Sequence, residues 1–190
     1  MLHGDGQMKD PGRGVFKCSF RRGVCEGHGI FVYRDGSKYV GNFVRGQAHG
    51  QGTLTYATRD VYEGTWERSH RKEGVLRYAN GDIFTGKWLN GYRHGHGILE
   101  YANGGKYDGM WSGGSPNGHG KMTYEDRSEY EGEWQSGKRH GRGKMFNSMG
   151  QVTAEGVWEN NFLINNEVES SRRNDRELES SPAQKRQRRE

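Results

Sequence analysis

Aliphatic side chains are scarce in this sequence. Leu, Ile, Val and Phe make up about 15% of its 190 residues, below the ~20% at which composition alone points to disorder. That argues against a large aliphatic core. Wholesale disorder is equally disfavoured, because disordered chains combine high net charge with few aromatics. Here 29 Lys+Arg against 24 Asp+Glu leave only +5, and there are 7 Phe, 5 Trp and 10 Tyr. No apolar run approaches the ~18–20 residues of a membrane-spanning helix, and the opening MLHGDGQMKD lacks the apolar stretch of a secretory signal. Two cysteines, Cys18 and Cys25, are too few for a disulfide framework. They read as ordinary reduced thiols, with a redox pair as the alternative, and the protein as intracellular.

Glycine is plentiful, at 32 residues, and it recurs with a period. An aromatic residue closes each segment of the form Y-x-G-x-W, at Phe20, Phe43, Trp66, Trp88, Trp111, Trp134 and Trp158. The intervals are 23, 23, 22, 23, 23 and 24 residues, a regularity that marks an internal repeat. Repeats begin at Phe16, Tyr39, Tyr62, Phe84, Tyr107 and Tyr130, with a partial one from Ala154. The third is one residue short, carrying HRKEG where others have a form of RHGHG.

Within a repeat, positions 1, 3 and 5 hold an aromatic, usually Gly, and an aromatic. Positions 14, 16 and 18 hold Gly, an apolar residue and usually Tyr, as in Gly97, Leu99 and Tyr101. Residues between them are mostly polar or β-branched. This period of two predicts two strands per repeat, near positions 1–5 and 14–19, each with one apolar face. Segments such as NGYRHG (90–95) are expected to turn the chain inside a hairpin, and Asp35-Gly36 or Asn80-Gly81 between hairpins. The fold class is therefore all-β: an elongated, single-layer, twisted antiparallel sheet of tandem hairpins. Residues 1–15 form an N-terminal lead-in, 16–161 the array, and 162–190 a charged, mostly disordered tail.

The segments YEGEWQSGKRHGRGKM (130–145) and FTGKWLNGYRHGHGILEYANGG (84–105) resemble MORN repeats, the membrane occupation and recognition nexus motif. The resemblance runs from Phe16 to about Asn161, roughly three-quarters of the chain. It implies the hairpin array and leaves function open, because such arrays serve in lipid kinases, junctional membrane proteins, methyltransferases and ciliary or cytoskeletal scaffolds. In the enzymes among them, separate domains carry the chemistry.

The residues themselves offer no chemistry to replace those domains. His28, His49, His94, His119 and His140 recur around the Gly of position 12, with His96 beside His94. Equivalent positions lie a repeat apart, roughly 10 Å by strand spacing, too far to share a Zn²⁺ held at ~2.0–2.1 Å. The repeated G-x-G leads into a strand, whereas a phosphate cradle needs a helix N-terminus behind it. The expectation is a non-enzyme without metal or cofactor.

The aromatic rows are the informative surface. The ladder Phe20, Phe43, Trp66, Trp88, Trp111, Trp134 and Trp158 reads as the array's own core. The position-16 and position-18 rows, Phe31, Tyr33, Leu54, Tyr56, Leu76, Tyr78, Leu99, Tyr101, Met122, Tyr124 and Met145, read as a partly open groove. Exposed apolar patches usually mark binding sites, so the groove is expected to take a helix or extended peptide of a protein partner. Self-association is a further use of the same face. Position-16 residues such as Leu99 are expected to be more open than Trp88 or Trp111.

In the tail, Arg172, Arg173, Lys185, Arg186, Arg188 and Arg189 form a basic cluster with the spacing of a bipartite nuclear-import signal. The same charges suit an anionic membrane surface, as do Arg93, Lys138 and Arg139. Two functions compete: a scaffold or adaptor binding a protein segment, cytoplasmic and by resemblance cytoskeletal or ciliary, and a peripheral binder of anionic phospholipid or phosphoinositide. Nucleic acid is not an expected partner.

Overall fold

The computed structural model describes residues 3–167, and the described chain is β-strand and turn almost throughout. It divides into two compact units, residues 1–115 and 116–190. The first holds β1 (Gly4–Asp10), β2 (Gly14–Arg21), β3 (Val24–Tyr33), β4 (Lys38–Val44), β5 (Gln47–Thr55), β6 (Val61–Glu67), β7 (His70–Arg77), β8 (Ile83–Leu89), β9 (Tyr92–Glu100) and β10 (Lys106–Ser112). Each pairs antiparallel with the next in sequence order. The second holds β11 (Ser115–Thr123), whose first residue lies at the boundary, β12 (Glu129–Gln135), β13 (Lys138–Phe146), β14 (Val152–Glu159) and β15 (Phe162–Asn166), paired in the same way.

Strands extend beyond the expected array at both ends. β1 lies in the stretch read as lead-in and β15 in the stretch read as tail. β1 carries no aromatic residue, so the repeat pattern could not reveal it. It nevertheless pairs along β2 from Gly4↔Phe20 to Asp10↔Gly14, satisfying backbone groups that would otherwise form an open sheet edge. The disorder expected for the tail concerns residues 168–190, which lie outside the described residues.

The hairpin turns are tighter than the sequence suggested. In NGYRHG only Asn90 and Gly91 turn, with φ of 51° and 84°, and Tyr92 already belongs to β9. Positive φ at both central residues gives the local twist that two-residue hairpins need. The remainder of the segment is a bulge: pairing jumps from Gly86↔Gly97 to Lys87↔His94, with Gly95 at φ 66° absorbing the extra chain. In the short third repeat the jump runs only from Thr65↔Glu73 to Trp66↔Arg71. The missing residue thus shortens the bulge and leaves strand pairing intact. Between hairpins, the Tyr78 N–H donates to the Asp82 carbonyl at 2.9 Å. The Asp60 and Asp82 carboxylates accept the Ala79 and Ala102 N–H groups at 2.8 and 2.9 Å, tying each loop to the next.

The core is one face of aromatic rings. Position-1 and position-5 rings meet edge to face within a repeat, as in Tyr39–Phe43 and Tyr62–Trp66 at 5.2 Å. Within a unit, position-1 rings then meet the position-5 ring of the next repeat, as in Tyr39–Trp66 at 5.1 Å and Phe84–Trp111 at 5.3 Å. Such contacts are worth ~0.5–1.5 kcal/mol beyond burial, so a zigzag of rings substitutes for the missing aliphatics. The position-1 rings Tyr39, Tyr62, Phe84, Tyr107 and Tyr130 are almost completely buried.

The reading of Cys18 and Cys25 as reduced thiols is corrected. They are joined in a disulfide, with Cα atoms 5.9 Å apart. Cys18 occupies the position that other repeats give to Gly, and Cys25 the position-10 site one strand away, both on the buried face. The hairpin register sets Cys25 opposite Phe20, two residues from Cys18, with the bulge between Cys18 and Ser19.

Candidate docking groove

The position-16 row is not the open floor that the sequence suggested. Phe31, Leu54, Leu76 and Leu99 are buried, and Leu99 (5% exposed) is as closed as Trp88 (6%). Register explains this. Leu54 sits directly across from Tyr39 on one side and Tyr62 on the other, and Leu99 across from Phe84 and Tyr107. Each aliphatic residue is sandwiched between two position-1 rings. Met145 is half-buried because its neighbours are Tyr130 and Ala154, so one flanking ring is missing. Met122, across from Tyr130, is half-buried as well. The ladder Phe20, Phe43, Trp66, Trp88, Trp111, Trp134 and Trp158 is buried throughout.

Openness falls instead on the position-18 tyrosines: Tyr33, Tyr56, Tyr78, Tyr101 and Tyr124 are all half-buried. In the first unit Tyr33, Leu54, Tyr56, Trp66, His70 and Arg71, with Asp35, Ser37, Ser69 and Gly91, line an open cavity of about 310 Å³. Burial raises the pKa of the Tyr33, Tyr56, Tyr78 and Tyr124 hydroxyls, with Arg13, Arg71, Arg93 and Arg139 respectively opposing the shift. Burial is the main cause that drives the deeper Tyr39 and Tyr62 up to about 12, with Tyr33 adding at Tyr39 and Arg71 opposing at Tyr62.

Position 10, which the strand pattern did not single out, carries the groove's cations. Arg71 lies 3.9 Å above the Trp88 ring and its Nη2 donates to the Gly91 carbonyl at 2.9 Å. Arg93 lies 4.1 Å above Trp111 and donates to the Gly114 carbonyl at 2.6 Å. In the second unit Arg139 lies 4.5 Å above Trp158 and donates to the Asn161 carbonyl at 2.9 Å. Each guanidinium therefore clips one hairpin to its successor, a role the planar group fills better than an ammonium. Arg93 and Arg139, considered above as membrane contacts, are engaged on the aromatic face. The recurrence of Arg three times at one repeat position was the available signal.

Four indoles donate to the preceding repeat's position-14 carbonyl: Trp66 to Gly52, Trp111 to Gly97, Trp134 to Gly120 and Trp158 to Gly143, at 2.9–3.1 Å. The Trp88 Nε1 is buried with no acceptor among the described residues. Trp88 follows the short repeat. Its ring stands 5.9 Å from Tyr62, against 5.1–5.3 Å for the equivalent pairs of neighbouring repeats.

The opposite face is polar. In the second unit a cavity of about 530 Å³ is lined by Glu131, Arg142, Lys144, Phe146, Glu155 and Glu167, among others. Its carboxylates and cations largely answer one another, as in Lys144–Glu155 at 2.8 Å. Among the described residues no three of His, Cys, Asp and Glu form a group able to hold a metal ion. No helix among them is long and apolar enough to cross a membrane. Arg172, Arg173, Lys185, Arg186, Arg188 and Arg189 lie outside the described residues.

The MORN-repeat family model matches residues 19–38, 39–61, 84–106, 107–129 and 130–152, more than half of the chain. This chain belongs to the MORN-repeat family. Alsin of Rattus norvegicus is 36% identical over 76 residues, covering 36% of this chain and 4% of Alsin. The chain thus spans a small fraction of that relative. Among solved structures, the TCP domain of SAS-4 (dCPAP) of Drosophila melanogaster, in complex with a proline-rich motif of Ana2 (dSTIL), matches at TM-score 0.46. Identity is 14%, covering 77% of this chain and 79% of that one. The TCP10 domain of Danio rerio CPAP, in complex with a peptide of STIL, matches at TM-score 0.41 and 11% identity, covering 81% of this chain and 80% of that one.

Proposed function

We propose that this MORN array is a non-catalytic scaffold or adaptor whose aromatic face holds a segment of a protein partner, in a cytoplasmic assembly of cytoskeletal or ciliary kind. The observation that carries the reading is the half-open tyrosine row above the buried Phe31, Leu54, Leu76 and Leu99, with a cavity of about 310 Å³ lined by Tyr33, Tyr56 and Arg71. Rigid rings that keep a polar tip toward solvent supply contact area at low entropic cost. Tyr56→Asp with Tyr78→Asp should leave the β circular-dichroism spectrum unchanged and remove proteins that the native chain retains from lysate. Leu99→Asp is unsuited to this test, because it charges a core position. Unaltered capture by the double variant would overturn the groove.

One observation favours a second reading, attachment to an anionic membrane. Arg22, Arg45 and Arg68 sit at successive hairpin tips with φ of 54°, 53° and 49°, beside the exposed Val24 and Val44. Co-sedimentation with phosphatidylserine vesicles that disappears in Arg22→Ser, Arg45→Ser, Arg68→Ser would support it. Equal pelleting of native and triple variant would end it.

A further inference from the structure

We propose that the groove of the first unit selects acidic segments, carrying carboxylates that recur at about 10 Å along the bound chain. This rests on the protein-binding reading above and adds the partner's chemistry.

Among the described residues, the guanidiniums of this groove form no ion pair. Arg71 and Arg93 are half-buried, held by ring faces and one backbone carbonyl each, with the neutral Tyr56 hydroxyl a further hydrogen-bond partner of Arg71. The ion pairs among the described residues join Lys or His to Glu or Asp and leave both guanidiniums out, even where Glu67, paired to Lys72, lines the same pocket as Arg71. Acids do stand nearby, at the loop ends of the tyrosine row, but they hydrogen-bond within the loops and form no ion pair with either arginine. The Asp35 carboxylate accepts the Ser37 N–H and hydroxyl. Asp60 accepts from Ala79 and Thr58, and Asp82 from Ala102 and Asn80. Partly desolvated charges normally find a counter-charge; here the vacancy faces the groove. A guanidinium fork suits a carboxylate better than any neutral acceptor.

Spacing adds a geometric requirement. Equivalent side chains of adjacent repeats are two strands apart, about 10 Å. Arg71 beside Tyr56 and Arg93 beside Tyr78 are one such step apart, and Arg13 stands over Phe31 next to Tyr33 at the N-terminal end. A chain in polyproline II brings every third residue back to one side after about 9.3 Å. A helix brings every seventh back after about 10.5 Å. Either conformation presents Glu or Asp to successive Arg–Tyr pairs.

The test is an unbiased selection of random 16-residue peptides displayed on phage against the full chain, followed by anisotropy titration of the winners. Enrichment of Asp or Glu at intervals of three or seven is expected. Affinity for a selected peptide should fall about tenfold or more in Arg71→Gln and in Arg93→Gln, as expected for loss of a charge-assisted hydrogen bond, and it should weaken with salt. Arg93→Lys keeps the charge and loses the fork, so it should retain the acidic preference at reduced affinity. If Lys and Gln variants bind alike, the arginine acts only by packing and the proposal fails. Neutral or basic winners that compete for the groove would overturn the acidic preference and leave the protein-binding reading standing. A selection that enriches nothing, while phosphatidylserine vesicles bind and lose binding in Arg93→Gln, would overturn both in favour of lipid. Enrichment of nothing without vesicle binding would overturn both outright.

Discussion

Gly64→Ala puts one of the close backbone approaches of the array under load. Gly64 faces Gly74 across β6 and β7, with the Tyr62 ring lying over the pair. A Cβ at Gly64 would collide with the Glu73 carbonyl oxygen and stand 2.6 Å from the Gly74 Cα and 2.7 Å from the Tyr62 hydroxyl. The first two are backbone atoms fixed by pairing on both sides. Restoring an ordinary contact of ~3.5–4.0 Å requires the strands to part by roughly 1 Å or the tyrosine to leave. Overpacking costs ~1–3 kcal/mol. Loss of the Tyr62 hydroxyl bond to the Thr65 carbonyl adds about 1 kcal/mol. The Gly→Ala gain in the unfolded chain returns ~0.4–1 kcal/mol. The net is about 1–3.5 kcal/mol, which in a chain of this size lowers Tm by roughly 2–14 °C. The control is Gly6→Ala on β1, where a Cβ would make only ordinary contact with the Phe20 ring at 3.9 Å; its Tm should hold or rise slightly. Thermal unfolding followed by circular dichroism reads both, and equal melting of the two variants would refute the packing argument.

The tryptophans should not be equivalent: Trp111→Phe loses the bond to the Gly97 carbonyl and Trp88→Phe loses none. In urea unfolding Trp111→Phe should therefore cost about 1 kcal/mol more. Arg45 sits at φ 53°, where Asn is better tolerated, so Arg45→Asn should stabilise by ~0.5–1 kcal/mol in the same assay. A drop would mean that the arginine side chain holds the turn. Tyr39, Tyr62 and Tyr130 have pKa values raised by burial to about 12, above the ordinary value near 10. The folded state keeps these protons while the unfolded state releases them, so their stability is fully present below pH ~10 and lost as pH rises toward 12. Absorbance at 295 nm should show tyrosines that ionise only with unfolding, and full titration of a still-folded chain near pH 10 would contradict their burial.

What the residues fixed by themselves is the repeat and its sided strands. The 22–24-residue return of an aromatic, the alternation through Phe84, Gly86 and Trp88, and the glycine turns follow from strand geometry and local sterics, which act over a few residues. The ring ladder was legible for the same reason. Which member of that face is closed was not, because it depends on lateral register. Leu99 lies between Phe84 and Tyr107, fifteen residues before it and eight after it, and only strand pairing brings both rings against it. In the sequence Arg93 lay in a segment expected to turn, and Arg71 was not singled out. Contact with a ring and a carbonyl 17 to 21 residues away makes them part of the aromatic face. The same holds for β1, which has no pattern of its own and becomes a strand only because β2 offers an unpaired edge, and for Cys18 and Cys25, brought within bonding distance by a hairpin and its bulge. Local chemistry chose the elements; the pairing of one strand with the next decided which side chains are buried, bonded or left facing the groove.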